Sequence, residues 1–235
     1  MHRRADFRGI LEETVALARE VFAYLLVFVI VVGGLGAVSE IGGATDPDRL
    51  WGFGFTFDAG TTILGGIAGV AALIAHVVGS YLILERMLEL RGRVGSGGTR
   101  IWAYVGLALL TGFGMILGLL FLIVPGLILA VRWSAASGFL IARRAGVIEA
   151  MGASWNVTRG HSWPIFFAGL VCFLLALVPI VAVSSFIEFA GAGPVGAAIG
   201  TGLTDAITTA VFLPLGISVF TLLDEGTQEI GEVFA

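Results

Sequence analysis

The chain has 235 residues, of which 57% are hydrophobic and 13% charged, and its mean hydropathy is +1.00. A chain of this length that is filled by apolar segments excludes a separate soluble catalytic domain, and its single cysteine, Cys172, excludes an intrachain disulfide. The formal net charge of −4 says little, but all 13 basic residues are arginine and they are unevenly placed. This composition predicts an integral membrane protein.

Apolar segments recur along the chain, and a helix needs about 20 mostly apolar residues to cross a bilayer. We predict an all-α fold: a polytopic transmembrane helix bundle of about six spans with two interfacial amphipathic helices. The whole chain forms one integral membrane domain that ends in a tail at residues 224–235. The predicted spans are residues 21–38, 61–84, 101–124, 126–142, 165–187 and 195–223.

The third and fourth predicted spans come from one apolar stretch, residues 101–142, whose only formal charge is Arg132. Val124-Pro125-Gly126 interrupts this stretch. Because both flanking segments are rich in arginine, an even number of crossings must separate them. We therefore predict two spans joined by a tight outward turn at Pro125-Gly126.

Arginine placement also predicts the orientation. Arginines precede the first span and follow the second and the fourth, and the positive-inside rule places such segments in the cytoplasm. We predict a bacterial cytoplasmic (inner) membrane protein with both termini in the cytoplasm. The arginines on the predicted inner side are Arg3, Arg4, Arg8, Arg19, Arg86, Arg91, Arg93, Arg100, Arg143, Arg144 and Arg159.

Two segments have the helical spacing of an amphipathic helix. We predict that residues 1–20 and 146–160 lie along the inner membrane surface with their apolar side down, and that Gly160 is a C-cap. The apolar faces are Phe7, Ile10, Leu11, Thr14, Val15 and Ala18 in the first segment, and Ile148, Met151 and Trp155 in the second.

Residues 124–134 read Val-Pro-Gly-Leu-Ile-Leu-Ala-Val-Arg-Trp-Ser, and Glu149-Ala150, Ser154-Trp155 and Thr158-Arg159-Gly160 follow. In this combination the chain resembles the membrane domain attached to some bacterial glycerophosphodiester phosphodiesterases, which also occurs as free-standing multi-pass proteins. The resemblance covers residues 115–170. It implies a membrane domain without phosphodiesterase chemistry, which belongs to a soluble barrel. The family pattern implies an acidic residue near 140–143, where this chain has Leu-Ile-Ala-Arg.

Arg132 and Asp205 are the strongest candidates for a polar site inside the membrane. Ionisable side chains within a span are costly, and they usually face the bundle interior and pair. At the usual helical rise, Arg132 lies about 10 Å from the outward turn and Asp205 about 15 Å into the last span. These similar depths predict a structural ion pair, a charged gate or a site for an anionic headgroup. Alternatively, Arg132 extends outward toward lipid phosphate.

Four threonines share one face of the last predicted span with Asp205. Such hydroxyls line a hydrophilic path, or they hydrogen-bond to neighbouring helices and to their own backbone. The four threonines are Thr201, Thr204, Thr208 and Thr209.

His76 is the only histidine within a predicted span. No carboxylate or second histidine lies three or four residues away, so the spacing of a zinc site is absent. A hydrogen bond between helices is the expected role of His76.

The first predicted outer loop contains Trp51, Phe53, Phe55 and Phe57. A period of two places all four rings on one side of an extended segment. The pattern is typical of anchoring at the membrane interface, and contact with another membrane protein is the alternative.

Signatures of hydrolases, metalloproteases, P-loop enzymes and dinucleotide-binding enzymes do not occur in the sequence. We expect no enzyme activity, no cofactor, no metal and no nucleic-acid partner. The expected partners are membrane lipids, with other membrane proteins or self-association as further candidates. The favoured function is a scaffold, assembly factor or accessory subunit. One alternative is a transporter or lipid-handling protein that uses the Arg132/Asp205 pair and the threonine face of the last span, with spans broken at Pro179 and Pro214. The other is an intramembrane lipid enzyme.

Overall fold

The computed structural model describes residues 6–43, 61–93 and 98–233, with side chains described as far as residue 224. Within these ranges every regular element is an α-helix, which confirms the all-α prediction. The helices are α1 (Phe7–Glu20), α2 (Phe22–Ile41), α3 (Ile63–Leu90), α4 (Ile101–Phe121), α5 (Ile123–Trp133), α6 (Ala136–Ala142), α7 (Val147–Val157), α8 (Ser162–Phe189) and α9 (Gly193–Val233).

Six helical segments of the described chain are long and apolar enough to cross a membrane. They coincide with the six predicted spans, and the chain is a multi-pass membrane protein. Residues 224–233, predicted as a tail, instead continue α9. The six segments are Phe22–Ile41, Ile63–Leu90, Ile101–Phe121, Ile123–Ala142, Ser162–Phe189 and Gly193–Asp224.

The turn between the third and fourth spans lies at Leu122, so its predicted position at Pro125-Gly126 was wrong by three residues. Leu122 is extended, with φ −169° and ψ 146°, between α4 and α5. Pro125 lies in the first turn of α5, where backbone N–H groups have no intrahelical acceptor and proline is tolerated. Gly126 permits close packing instead, because a Cβ built on Gly118 of α4 would lie 2.9 Å from the Gly126 Cα.

The fourth span is two helices, whereas the sequence predicted one. α5 ends at Trp133 and α6 begins at Ala136, with a turn between them. The Ser154 hydroxyl of α7 accepts the hydrogen bond of the Ala135 N–H at 3.2 Å, which satisfies a donor freed by the interruption. In contrast, α8 and α9 continue through Pro179 and Pro214, so the breaks predicted at these prolines are absent.

The chain divides into two compact units. Unit 1 comprises residues 1–21, 81–172 and 212–235, and unit 2 comprises residues 22–80 and 173–211. Every arginine in the described residues belongs to unit 1. The charged residues of unit 2 that the structure describes are all acidic: Glu40, Glu188 and Asp205.

Glycines bring the helices of unit 2 into backbone contact. A Cβ on Gly202 of α9 would collide with the carbonyl oxygen of Gly33 in α2, and a Cβ on Gly65 of α3 would lie 2.6 Å from the Gly42 Cα. Small residues let membrane helices approach to van der Waals contact, which replaces the hydrophobic driving force that lipid removes. These glycines pack within the chain.

α1 forms where it was predicted, and its buried face overlaps the predicted stripe only in part, at Ile10 and Thr14. Leu17 and Glu13 are buried, whereas Val15 is exposed. The Thr14 hydroxyl lies 3.0 Å from the Ser218 hydroxyl of α9, within hydrogen-bonding distance. This face packs against the other helices of unit 1 because its polar groups find partners there.

α7 also forms where it was predicted, but its C-cap is Thr158, and Gly160, which was predicted as the C-cap, lies two residues later with φ +89°. Its buried face consists of Ala150, Ser154 and Thr158, while Ile148 of the predicted apolar face is exposed. α7 therefore packs on its neighbours through small and hydroxyl side chains and turns bulky apolar residues outward.

Candidate functional site

Arg132 lies near the middle of the apolar segment Ile123–Ala142, in the last turn of α5. Its guanidinium carbon lies 5.4 Å from the centre of the Trp155 ring, a cation–π contact with α7. The Arg132 Nη1 is buried and has no hydrogen-bond partner among the described residues. The charged Arg132 side chain therefore contacts an aromatic ring, but its buried Nη1 donates to no acceptor in the described residues.

Hydroxyl groups of α7 form hydrogen bonds with the backbone around Arg132. The Ser154 hydroxyl donates to the Arg132 carbonyl at 2.7 Å, in addition to accepting the Ala135 N–H. The Thr158 hydroxyl donates to the Ser154 carbonyl at 2.8 Å. Sequence reasoning gave Ser154 and Thr158 no role, although their spacing of four residues, which places both on one side of α7, was a usable signal.

Asp224 is the centre of an ion-pair cluster in unit 1 that sequence reasoning also missed. Its side chain is 3% exposed, and its Oδ2 accepts a hydrogen bond from Arg93 at 3.0 Å. Its Oδ1 contacts the Arg143 guanidinium at 2.5 Å. One buried carboxylate therefore joins the segment after α3, the end of α6 and the C-terminal half of α9.

Arg91 forms a second cluster, with α1. Its Nε lies 2.5 Å from Glu13 and its Nη1 lies 2.8 Å from Glu20. Burial lowers the pKa of Arg91, but the hydrogen bonds to Glu20 and Glu13 outweigh burial and raise the pKa above its ordinary value. Arg91 therefore stays charged at physiological pH and fixes α1 to the end of α3.

The other carboxylates of unit 1 whose side chains the structure describes are bonded as well. Each accepts a hydrogen bond from an arginine, a tyrosine hydroxyl or the N–H at a helix start, and none of these donors is Arg132. The pairs are Glu12 with Arg8, Glu89 with Arg86, Glu85 with Tyr81, Asp6 with Gly9 and Glu149 with Gly146.

The threonines of the last span bond to their own helix. The hydroxyls of Thr201, Thr204 and Thr208 donate to the carbonyls four residues earlier, at 3.1, 2.8 and 2.8 Å. Such bonds satisfy the hydroxyls without a neighbouring helix or a water path. The geometry favours the backbone role over the lining of a hydrophilic path.

The remaining predicted residues that the structure describes belong to different units. The His76 ring lies 5.6 Å from the Phe28 ring in unit 2, and Asp205 is half-buried in the same unit. Arg132 belongs to unit 1, so its pairing with Asp205 stays a prediction. Trp51, Phe53, Phe55 and Phe57 lie outside the described residues.

No group of three metal-ligating side chains occurs among the residues that the structure describes. Comparison of the chain with protein-family models, with curated proteins and with solved structures finds no match. The resemblance to a phosphodiesterase-associated membrane domain stays a prediction.

Proposed function

We propose that this chain is a non-catalytic multi-pass membrane protein that serves as a scaffold, assembly factor or accessory subunit of a membrane complex. The observation that carries the proposal is the structural use of acidic groups in unit 1. Each described carboxylate there bonds to a donor of the chain, either across helices, within one helix or at a helix start, and Asp224 joins Arg93 and Arg143. Catalytic acids and bases are instead held free to meet a substrate.

α4 is the helix best suited to contact a partner. Only 6% of its most apolar stretch is buried, against 61% in the last span. Its outward side includes Ala108, which is exposed, and Gly112, at which a Cβ would meet no atom within 4 Å. Two small residues four positions apart allow another helix to approach closely. Exposed Leu109 and Phe113 flank them.

A photoreactive benzoylphenylalanine at position 113 should capture the partner. We expect irradiated cells to give one discrete heavier band, because the position 113 side chain points away from the chain's own helices and is 63% exposed. The matched control is the same residue at position 173, a 47% exposed phenylalanine of α8. Lipid adducts alone at both positions would contradict a partner on α4.

We also propose that the arginine-rich ends of the spans face the cytoplasm of a bacterial cell and that both termini lie inside. Apart from Arg132, the described arginines lie at span ends that the sequence places on the inner side, which supports this orientation. Trp102 and Trp163, 84% and 70% exposed, begin α4 and α8 beside Arg100 and Arg159. Exposed tryptophans next to arginines are typical of the headgroup level of a membrane.

The orientation predicts which single cysteines react from outside the cell. In a Cys172→Ser background, Glu188→Cys should react in intact cells with a membrane-impermeant maleimide, because residue 188 is exposed in the last turn of α8, at the end that we propose lies outside. Thr99→Cys should react only after permeabilisation. Reaction of both, or the reverse pattern, would show that the arginine-rich ends lie elsewhere.

A second candidate function is lipid handling, which the partnerless Nη1 of Arg132 favours. A transport path along the threonine face has less support, because the hydroxyls of Thr201, Thr204 and Thr208 are bonded to their own backbone.

A further inference from the structure

We propose that Arg132 binds the phosphate group of a membrane phospholipid. Arg132 lies about midway along an apolar segment, where an ionised side chain is costly unless an anion accompanies it. Its Nη1 is already withdrawn from solvent and has no acceptor in the described chain. The anion that completes this site comes from outside unit 1.

Trp155 attracts the Arg132 guanidinium through its ring and offers it no anion. The guanidinium carbon lies 5.4 Å from the ring centre, within the range of a cation–π contact. Such a contact holds the guanidinium without neutralising its charge. Two parallel N–H groups in one plane match two oxygens of a phosphate.

Acceptors within unit 1 are already engaged. The Arg132 carbonyl accepts from Ser154, and Ser154 also accepts the Ala135 N–H. The described carboxylates of unit 1 each bond to another donor, with Asp224 bonded to two arginines. None of the carboxylates that the structure describes in unit 1 bonds to Arg132.

A phospholipid is the source of phosphate that fits an apolar segment. Its acyl chains stay in the hydrocarbon while its phosphate meets an arginine side chain that extends toward the headgroups. Arg132 is only half-buried, so part of the side chain is open to such a ligand. A soluble phosphate would have to leave water without this apolar anchor.

Native mass spectrometry of the delipidated protein in detergent tests the site. The probes are phosphatidylglycerol, phosphatidylcholine, diacylglycerol and inorganic phosphate. We expect the wild type to retain one molecule of either phospholipid, and to retain neither diacylglycerol nor free phosphate. Arg132→Gln should weaken phospholipid retention at least about tenfold, the loss expected for a charge-assisted bidentate contact.

Arg132→Lys keeps the charge but loses the planar fork, so we expect intermediate retention even if the glutamine variant folds poorly. Arg8→Gln is the matched control and should retain lipid as the wild type does, because Arg8 is exposed and already pairs with Glu12. Equal retention by wild type and Arg132→Gln would overturn the proposal. The proposal would also be overturned if the wild type retained no lipid and the Asp205→Asn variant did, because Asp205 would then be the anion that pairs with Arg132 in the wild type. Retention of inorganic phosphate in place of lipid would overturn the lipid source.

Discussion

Asp224→Ala should destabilise the protein by about 2–3 kcal/mol, the largest effect that we expect from any single charged residue. Removing one partner of a buried ion pair leaves an uncompensated charge and typically costs about 3–5 kcal/mol. Asp224 compensates Arg93 and Arg143 at once, but these side chains are 20% and 46% exposed, so water recovers part of the loss.

Unfolding of the Asp224→Ala variant can be measured through the single cysteine, Cys172. Cys172 is buried, so a thiol-reactive dye labels it as the protein unfolds in detergent during heating or denaturant titration. Glu12→Gln is the matched control, because Glu12 pairs with Arg8 on an exposed surface and such pairs contribute less than about 1 kcal/mol. Equal shifts in the two variants would mean that the Asp224 cluster does not hold unit 1 together.

Hydropathy and arginine placement predicted the six spans because span length and loop charge are local properties of the sequence. The turn at Leu122 was misplaced because Pro125 and Gly126 form a common turn signal, yet both also fit a helix. Proline is tolerated in a first turn, and glycine is favoured wherever another backbone comes close. The sequence pattern alone does not distinguish these uses.

The same contrast holds for the polar residues. Arg132 was found from the sequence because one charge in an apolar stretch is conspicuous. Asp224 and Arg143 were not paired, because they lie 81 positions apart and their contact depends on how α6 packs against α9. Ser154 was overlooked for a similar reason. Its hydroxyl accepts the Ala135 N–H because the helix is interrupted after α5, and no glycine or proline marks this interruption in the sequence.

The close contact of α4 with α5 provides the second large effect, and α4 contains its own control. Gly118 and Gly112 lie in the same helix, so a change to alanine alters helix propensity alike at both positions. They differ in surroundings, because a Cβ at Gly118 would lie 2.9 Å from the Gly126 Cα, whereas a Cβ at Gly112 would meet nothing within 4 Å.

Gly118→Ala should therefore lower the free energy of unfolding by about 1–3 kcal/mol, as overpacking does where the obstacle is backbone that cannot rotate away. Gly112→Ala should be neutral or stabilising by up to about 1 kcal/mol, because alanine favours the helix. Both variants are measured by the labelling of Cys172 during unfolding. If Gly118→Ala proves as stable as Gly112→Ala, then α4 and α5 are not joined by backbone contact at Gly126. The fourth span, with Arg132 near its middle, would then need a different support.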